Sequence, residues 1–194
     1  MTGISGTGKT FFSRDLVRDE RRLIIVDPAC EWGLDACIVD DWNTFFDAVQ
    51  EPSFRLSVQI DDNPRAVLDI VAETSLCDEV SDCVLLIDEL HLFFQPGERP
   101  SDIVERLFNF GRRSEVSVLM CAQRSYWCPI TLRASLTDLY CFHSHEPADV
   151  AYIAKTVGDP KSVNRIITLP QYRHIHFDLA PQAGPENDPL DTVE

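Results

Sequence analysis

No apolar run in the 194 residues approaches the roughly 18–20 that a bilayer-spanning helix needs, and the run 84–87 stops at Asp88-Glu89. No signal-peptide pattern opens the chain either, so a soluble, intracellular protein is expected. The seven cysteines (Cys30, Cys37, Cys77, Cys83, Cys121, Cys128, Cys141) form no C-x-x-C pair. Cys83, Cys121 and Cys141 fall in strand-like apolar runs, which predicts free buried thiols in a reducing compartment rather than disulfides or a metal site. Lysine is scarce: only Lys9, Lys155 and Lys161 occur. A net charge of −15 and a pI near 4.6 exclude a surface that binds nucleic acid all over. There is no internal repeat and no linker, so a single domain is expected, burying about 70% of its unfolded surface.

Against these absences stands one dense stretch. Gly3-Ile4-Ser5-Gly6-Thr7-Gly8-Lys9-Thr10 fits G-x-x-x-x-G-K-[ST]. Gly3, Gly6 and Gly8 lack a Cβ, so the backbone can turn its N–H groups inward around a triphosphate. Lys9 would set a point charge against the β- and γ-phosphates, and the Thr10 hydroxyl would take one Mg²⁺ position. The helix expected from Phe11 to about residue 19 adds the positive end of its dipole to the same anion site. Ser5, Thr7 and Phe11 complete the set expected around ATP. Such a loop normally follows a buried central strand, yet only Met1 and Thr2 precede Gly3. The expectation is that four to six apolar residues lie upstream, or that another chain supplies the strand. A sheet without it would leave buried backbone groups unpaired, at about 1–3 kcal/mol each.

Further along, 22–26 is a short continuous apolar run ending at Asp27-Pro28, read as a buried parallel strand. Residues 41–50 place Trp42, Phe45, Phe46 and Val49 at helical spacing behind a cap at Asp41 or Asn43. Strand 54–60 and helix 63–74, with Pro64 in its first turn, come next. A second apolar strand, 83–87, precedes helix 101–112, capped by Ser101 and stopped at Gly111. Strands 116–122 and 139–142, helices 147–157 and 161–169, and an edge strand 172–179 complete the reading. Residues 1–180 form one α/β domain with a mostly parallel sheet; 181–194, with three prolines and four acids, is expected to be a disordered tail.

Ligands in parallel sheets collect where the strands end. Strand 83–87 ends in Asp88-Glu89, a Walker B form in which Asp88 would hold Mg²⁺ and Glu89 would orient and deprotonate the attacking water. Strand 116–122 ends in Gln123-Arg124, where a neutral amide can sense a γ-phosphate or hold the lytic water. Arg112 and Arg113 precede that strand, at the opposite edge from the phosphates, and are candidates to act on a neighbouring subunit's nucleotide. From 99 to 133 six arginines face three acids, a local basic strip. His143-x-His145 and His174-x-His176 lack further ligands at metal spacing and read as structural or surface residues. Tyr126-Trp127 reads equally as an interface loop or as core packing.

Residues 3–10, Asp27-Pro28-x-x-Glu31-Trp32, Leu86-Ile87-Asp88-Glu89 and Gly111-Arg112-Arg113 with the strand ending in Gln123-Arg124 together resemble the FtsK–HerA superfamily of P-loop DNA-pumping ATPases. The resemblance covers residues 3 to about 157 and is strongest to the genome-packaging ATPases of icosahedral viruses with an internal membrane. It implies a P-loop NTPase of the additional-strand, RecA-like kind, a three-layer sandwich that uses ATP and Mg²⁺. It further implies a ring, a hexamer, gripping double-stranded DNA through the basic strip and meeting capsid or portal-vertex proteins. The host-cell cytoplasm and the packaging vertex of a virion are the implied locations. Catalysis would fall to Glu89, Lys9 and Gln123, with Arg112 or Arg113 in trans. A small-molecule kinase is disfavoured by Glu89, which serves water rather than an acceptor. A nucleotide-gated assembly ATPase, like those of phage morphogenesis, is the alternative in a different class, and a cellular DNA pump of the same superfamily is another. N-K-x-D and L-S-G-G-Q are missing, which removes GTPase and ABC readings.

Overall fold

The computed structural model describes residues 1–180. After the glycine-rich loop come α1 (Lys9–Leu16), β1 (Arg22–Val26), β2 (Cys37–Val39), α2 (Trp42–Ala48), β3 (Phe54–Val58) and α3 (Pro64–Ser75). The chain continues through β4 (Cys83–Ile87), α4 (Asp102–Phe110), β5 (Val116–Met120), α5 (Ile130–Ala134), β6 (Asp138–Phe142), α6 (Pro147–Val157), α7 (Pro160–Val163) and β7 (His174–Asp178). Five parallel strands pair in the order β2-β3-β1-β4-β5, and β6 pairs antiparallel with β7 at the sheet's far side.

The central strands β1, after its first residue, and β4 are apolar because both of their faces are covered. Ile24, Val26, Leu85 and Ile87 point into one core, with Phe45, Val67, Leu68, Val71, Val104 and Leu107 from the helices. Leu23, Ile25 and Leu86 point the other way, against Val17 and Trp32. Helices therefore flank both faces, a three-layer α/β sandwich. The caps read from sequence form: Asp41 accepts from the Thr44 amide, Asn63 from that of Arg65 and Ser101 from that of Val104. The segment 161–169, expected as one helix, is α7 followed by a tighter turn over Asn164–Thr168.

Residues 1–3 lie in the seam between β5 and β6. Thr2 bridges in parallel to Ala122 on one side and Cys141 on the other. The Ala122 amide donates to Met1 O, Gly3 N to Ala122 O, Thr2 N to Tyr140 O, and the Phe142 amide to Thr2 O. These are isolated bridges rather than a strand of the sheet, at the C-terminal end of the seam. Along the rest of it a cleft of about 880 Å³ opens, lined by Val116, Val118, Met120, Leu139, Tyr140 and Leu16 among others. β6 and β7 rest on a separate core of Leu139, Cys141, Ile153, Val163 and Ile166.

Among the described residues no helix is long and apolar enough to cross a membrane. All seven cysteines are free; Cys83, Cys121 and Cys141 are buried as expected, but Cys30, Cys37 and Cys77 are exposed, in loops or at the β2 edge. The predicted acidic tail, 181–194, lies outside the described residues.

Candidate nucleotide site

The glycine-rich loop sits where the seam meets the C-terminal edge of the sheet. Gly3 is held so close to β6 that a Cβ there would lie 2.7 Å from Phe142 Cβ. Gly8, at φ 102, caps α1 with no side-chain hydrogen bond to the helix's first amides, which leaves those donors available to an anion. The helix begins at Lys9, two residues earlier than expected. Lys9 is 8% exposed and its ammonium donates to Gly3 O (2.7 Å) and Ile4 O (3.0 Å). Burial lowers its pKa, and Glu89, Asp88 and Glu31 nearby pull it back up. The lysine is thus a desolvated charge folded onto its own loop, with the acids that follow β4 near enough to favour its charged form.

Asp88, 3% exposed, directly follows β4. Burial raises its pKa; the indole of Trp32, donating to Oδ2 at 2.8 Å, opposes that shift. Its Oδ1 accepts from the Glu89 amide at 3.0 Å. Trp32 is itself set by Asp27, a fully buried carboxylate that accepts from the Glu31 and Trp32 amides, the Ser57 hydroxyl and the Gln59 amide group. The 27–32 segment noted in the sequence is therefore a bracket that aims an indole at Asp88. That role escaped the sequence reading, since nothing in the spacing says where the indole points.

Glu89 takes a left-handed backbone, φ 51, uncommon for a side chain of its size. Its Oε1 accepts from Gln123 Nε2 at 2.7 Å, and Oε2 lies 3.1 Å from His91 Nδ1, misaligned for a hydrogen bond. Gln123 and Glu89 thus meet directly, and His91 joins them without having been singled out beforehand. The donor set suits a small divalent cation: each Asp88 oxygen keeps acceptor capacity after its one bond, and Glu89 Oε2 is buried without a hydrogen bond. Thr10 follows Lys9 in the first turn of α1, and Ser5, Gly6 and Thr7 complete the loop, with Thr7 Oγ1 donating to Ile4 O.

Arg112 and Arg113 stand apart from this cluster. They occupy the turn Gly111–Ser114 at the start of β5, about 16 Å of strand away from its carboxyl end. Arg112 lines the cleft and Arg113 lies over the Phe110 ring. The basic strip is partly neutralised: Arg124 pairs with Glu146 (3.2 Å) and Asp149 (3.6 Å), and Arg133 covers Tyr152. His174 packs against Phe12, Tyr140 and Phe142, and His176 bonds Asp138. Tyr126 and Trp127 form a short turn whose Tyr126 amide donates to Asp149 and whose Trp127 lies edge-on to His91.

A phosphate loop at a parallel sheet's carboxyl edge, with β5 standing between the acidic strand β4 and the loop's own residues 1–3, is the P-loop NTPase fold of the additional-strand kind. Solved structures agree. The genome packaging NTPase B204 of Sulfolobus turreted icosahedral virus 2, in complex with AMPPCP, superposes with a TM-score of 0.77 at 17% identity, over 91% of this chain and 89% of that one. The DNA-packaging ATPase B204 of Sulfolobus Turreted Icosahedral Virus gives 0.74 at 15%, over 91% and 89%. The cytoplasmic domain of the Thermomonospora curvata Type VII secretion ATPase EccC gives 0.52 at 11%, over 93% of this chain and 24% of that one. No family model and no curated protein matches the chain. What the chain shares with these packaging NTPases is the fold.

Proposed function

We propose that the chain is an ATP-hydrolysing translocase that moves double-stranded DNA into a preformed capsid, working as a hexameric ring. The observation that carries this is the meeting of Lys9, Asp88, Glu89 and Gln123 at one edge of the sheet. The amides of residues 3–10 and the Lys9 ammonium would hold the triphosphate. Thr10 and Asp88 would hold Mg²⁺, which when bound neutralises charge between the β- and γ-phosphates. Glu89 orients a water and takes its proton as the water oxygen bonds the γ-phosphorus and the bond to the β-phosphate oxygen breaks, releasing ADP.

Gln123, now bonded to Glu89, has a neutral amide able to exchange that partner for the γ-phosphate. Arg112 or Arg113 would complete the site of the adjacent protomer, since neither reaches its own. DNA would run along the arginines between 99 and 133 that have no acidic partner among the described residues. Capsid or portal-vertex proteins are the partners that fit, in the host cytoplasm or at the packaging vertex. The test is ATP turnover with and without linear duplex DNA at fixed low salt, with the particle mass measured alongside. DNA-stimulated turnover by a ring is expected; equal rates from a strict monomer would overturn the proposal.

A further inference from the structure

The turn that leads into β7 lies directly on the phosphate loop. The Tyr172 amide donates to Thr7 O at 3.0 Å, and Gln171 Nε2 donates to Gly6 O at 2.9 Å. A Cβ on Gly8 would lie 2.7 Å from Tyr172 Cδ1 and 3.5 Å from Cε1, so the phenol ring runs along the bare Cα of Gly8. The glycine thus makes room for an aromatic ring as well as for the turn. Tyr172 itself holds φ 62, a left-handed conformation that bulky residues rarely adopt, and is 64% exposed. An exposed aromatic side chain, kept in an unfavourable backbone state and seated against the loop, calls for a use.

We propose that Tyr172 is the stacking platform for the base of the nucleoside triphosphate, with Gln171 fixing the turn to the loop. The inference rests on nucleotide binding by residues 3–10. A base attached to phosphates held there needs a flat apolar surface beside the loop, and this ring offers one without base-edge readout. Stacking on an aromatic ring is tolerant of base identity because every base has a π-face. The platform therefore adds affinity for nucleosides over bare polyphosphate and leaves discrimination among bases to other groups.

The experiment compares wild type, Tyr172→Phe and Tyr172→Gly for binding of Mg·ATP and of inorganic tripolyphosphate by calorimetry, with melting temperatures recorded. Glycine is the residue best suited to a left-handed backbone, so Tyr172→Gly is expected to melt no lower than wild type. It should nonetheless bind ATP about tenfold more weakly and tripolyphosphate unchanged, while Tyr172→Phe keeps wild-type affinity for both. An ATP affinity untouched by Tyr172→Gly, or an equal loss for tripolyphosphate, would overturn the platform while leaving the phosphate site standing. Wild-type protein that binds neither ligand would overturn both.

Discussion

Glutamine in place of Glu89 is expected to slow ATP hydrolysis by about 10²–10⁴-fold and to leave ATP bound as tightly as before, or tighter. The groups that would hold phosphate, Lys9 and the loop amides, lie on another element and keep their geometry. The Gln123 bond survives, because a glutamine carbonyl accepts as a carboxylate oxygen does. What disappears is the proton acceptor, together with one of the negative charges facing an anionic ligand. Single-turnover hydrolysis and equilibrium binding, measured on the same preparation, separate the two effects. Turnover within a factor of a few of wild type would remove Glu89 from the chemistry.

Alanine at Asp27 is expected to cost about 3–5 kcal/mol of stability, because four donors that now share one buried carboxylate lose their acceptor together. At about 2–4 °C per kcal/mol for a domain of this size, the melting temperature should fall by roughly 10 °C. The effect should reach the site as well. Releasing the 27–32 bracket frees the Trp32 indole from Asp88, and with it the one side-chain donor to that carboxylate among the described residues. Trp32 fluorescence should therefore shift with the substitution even below the transition. A melting temperature within about 2 °C of wild type would show that water replaces the lost acceptor at little cost.

Much of this architecture is legible because both of its signals are local. β4 is an unbroken apolar run and holds 83–87 to the residue, and β1 is one from Leu23 onward. The caps Asp41, Asn63 and Ser101 stand where short polar side chains precede amphipathic runs. β2 escapes notice since it has three residues, two of them exposed, and exists by pairing with β3 rather than by its own pattern. α5, five residues after Pro129, is too short to show a period. At the site, Lys9, Asp88 and Glu89 announce themselves by motif. The use of Trp32 does not, because its indole meets Asp88, 56 positions along the chain, nor does the turn of Gln171 and Tyr172, which meets the loop 165 positions away. His91 is only two residues from Glu89 and faces it across a left-handed backbone that no spacing encodes. The positions of Arg112 and Arg113 follow from strand direction alone, and for that reason both were read at the far edge.

Two slabs of sheet, one of five strands and one of two, meet through backbone bonds made by the first four residues, the same residues that open the phosphate cradle. The rivet of the molecule and its ligand cradle are therefore one piece of chain. A triphosphate gripped there draws on donors rooted in both slabs at once, since Tyr172 and Gln171 anchor the cradle's outer side from the smaller one. A ligand held in the cradle would tie the two slabs together from both sides, and its loss would leave them joined there by the backbone bonds of residues 1–4 and the turn at 171–172.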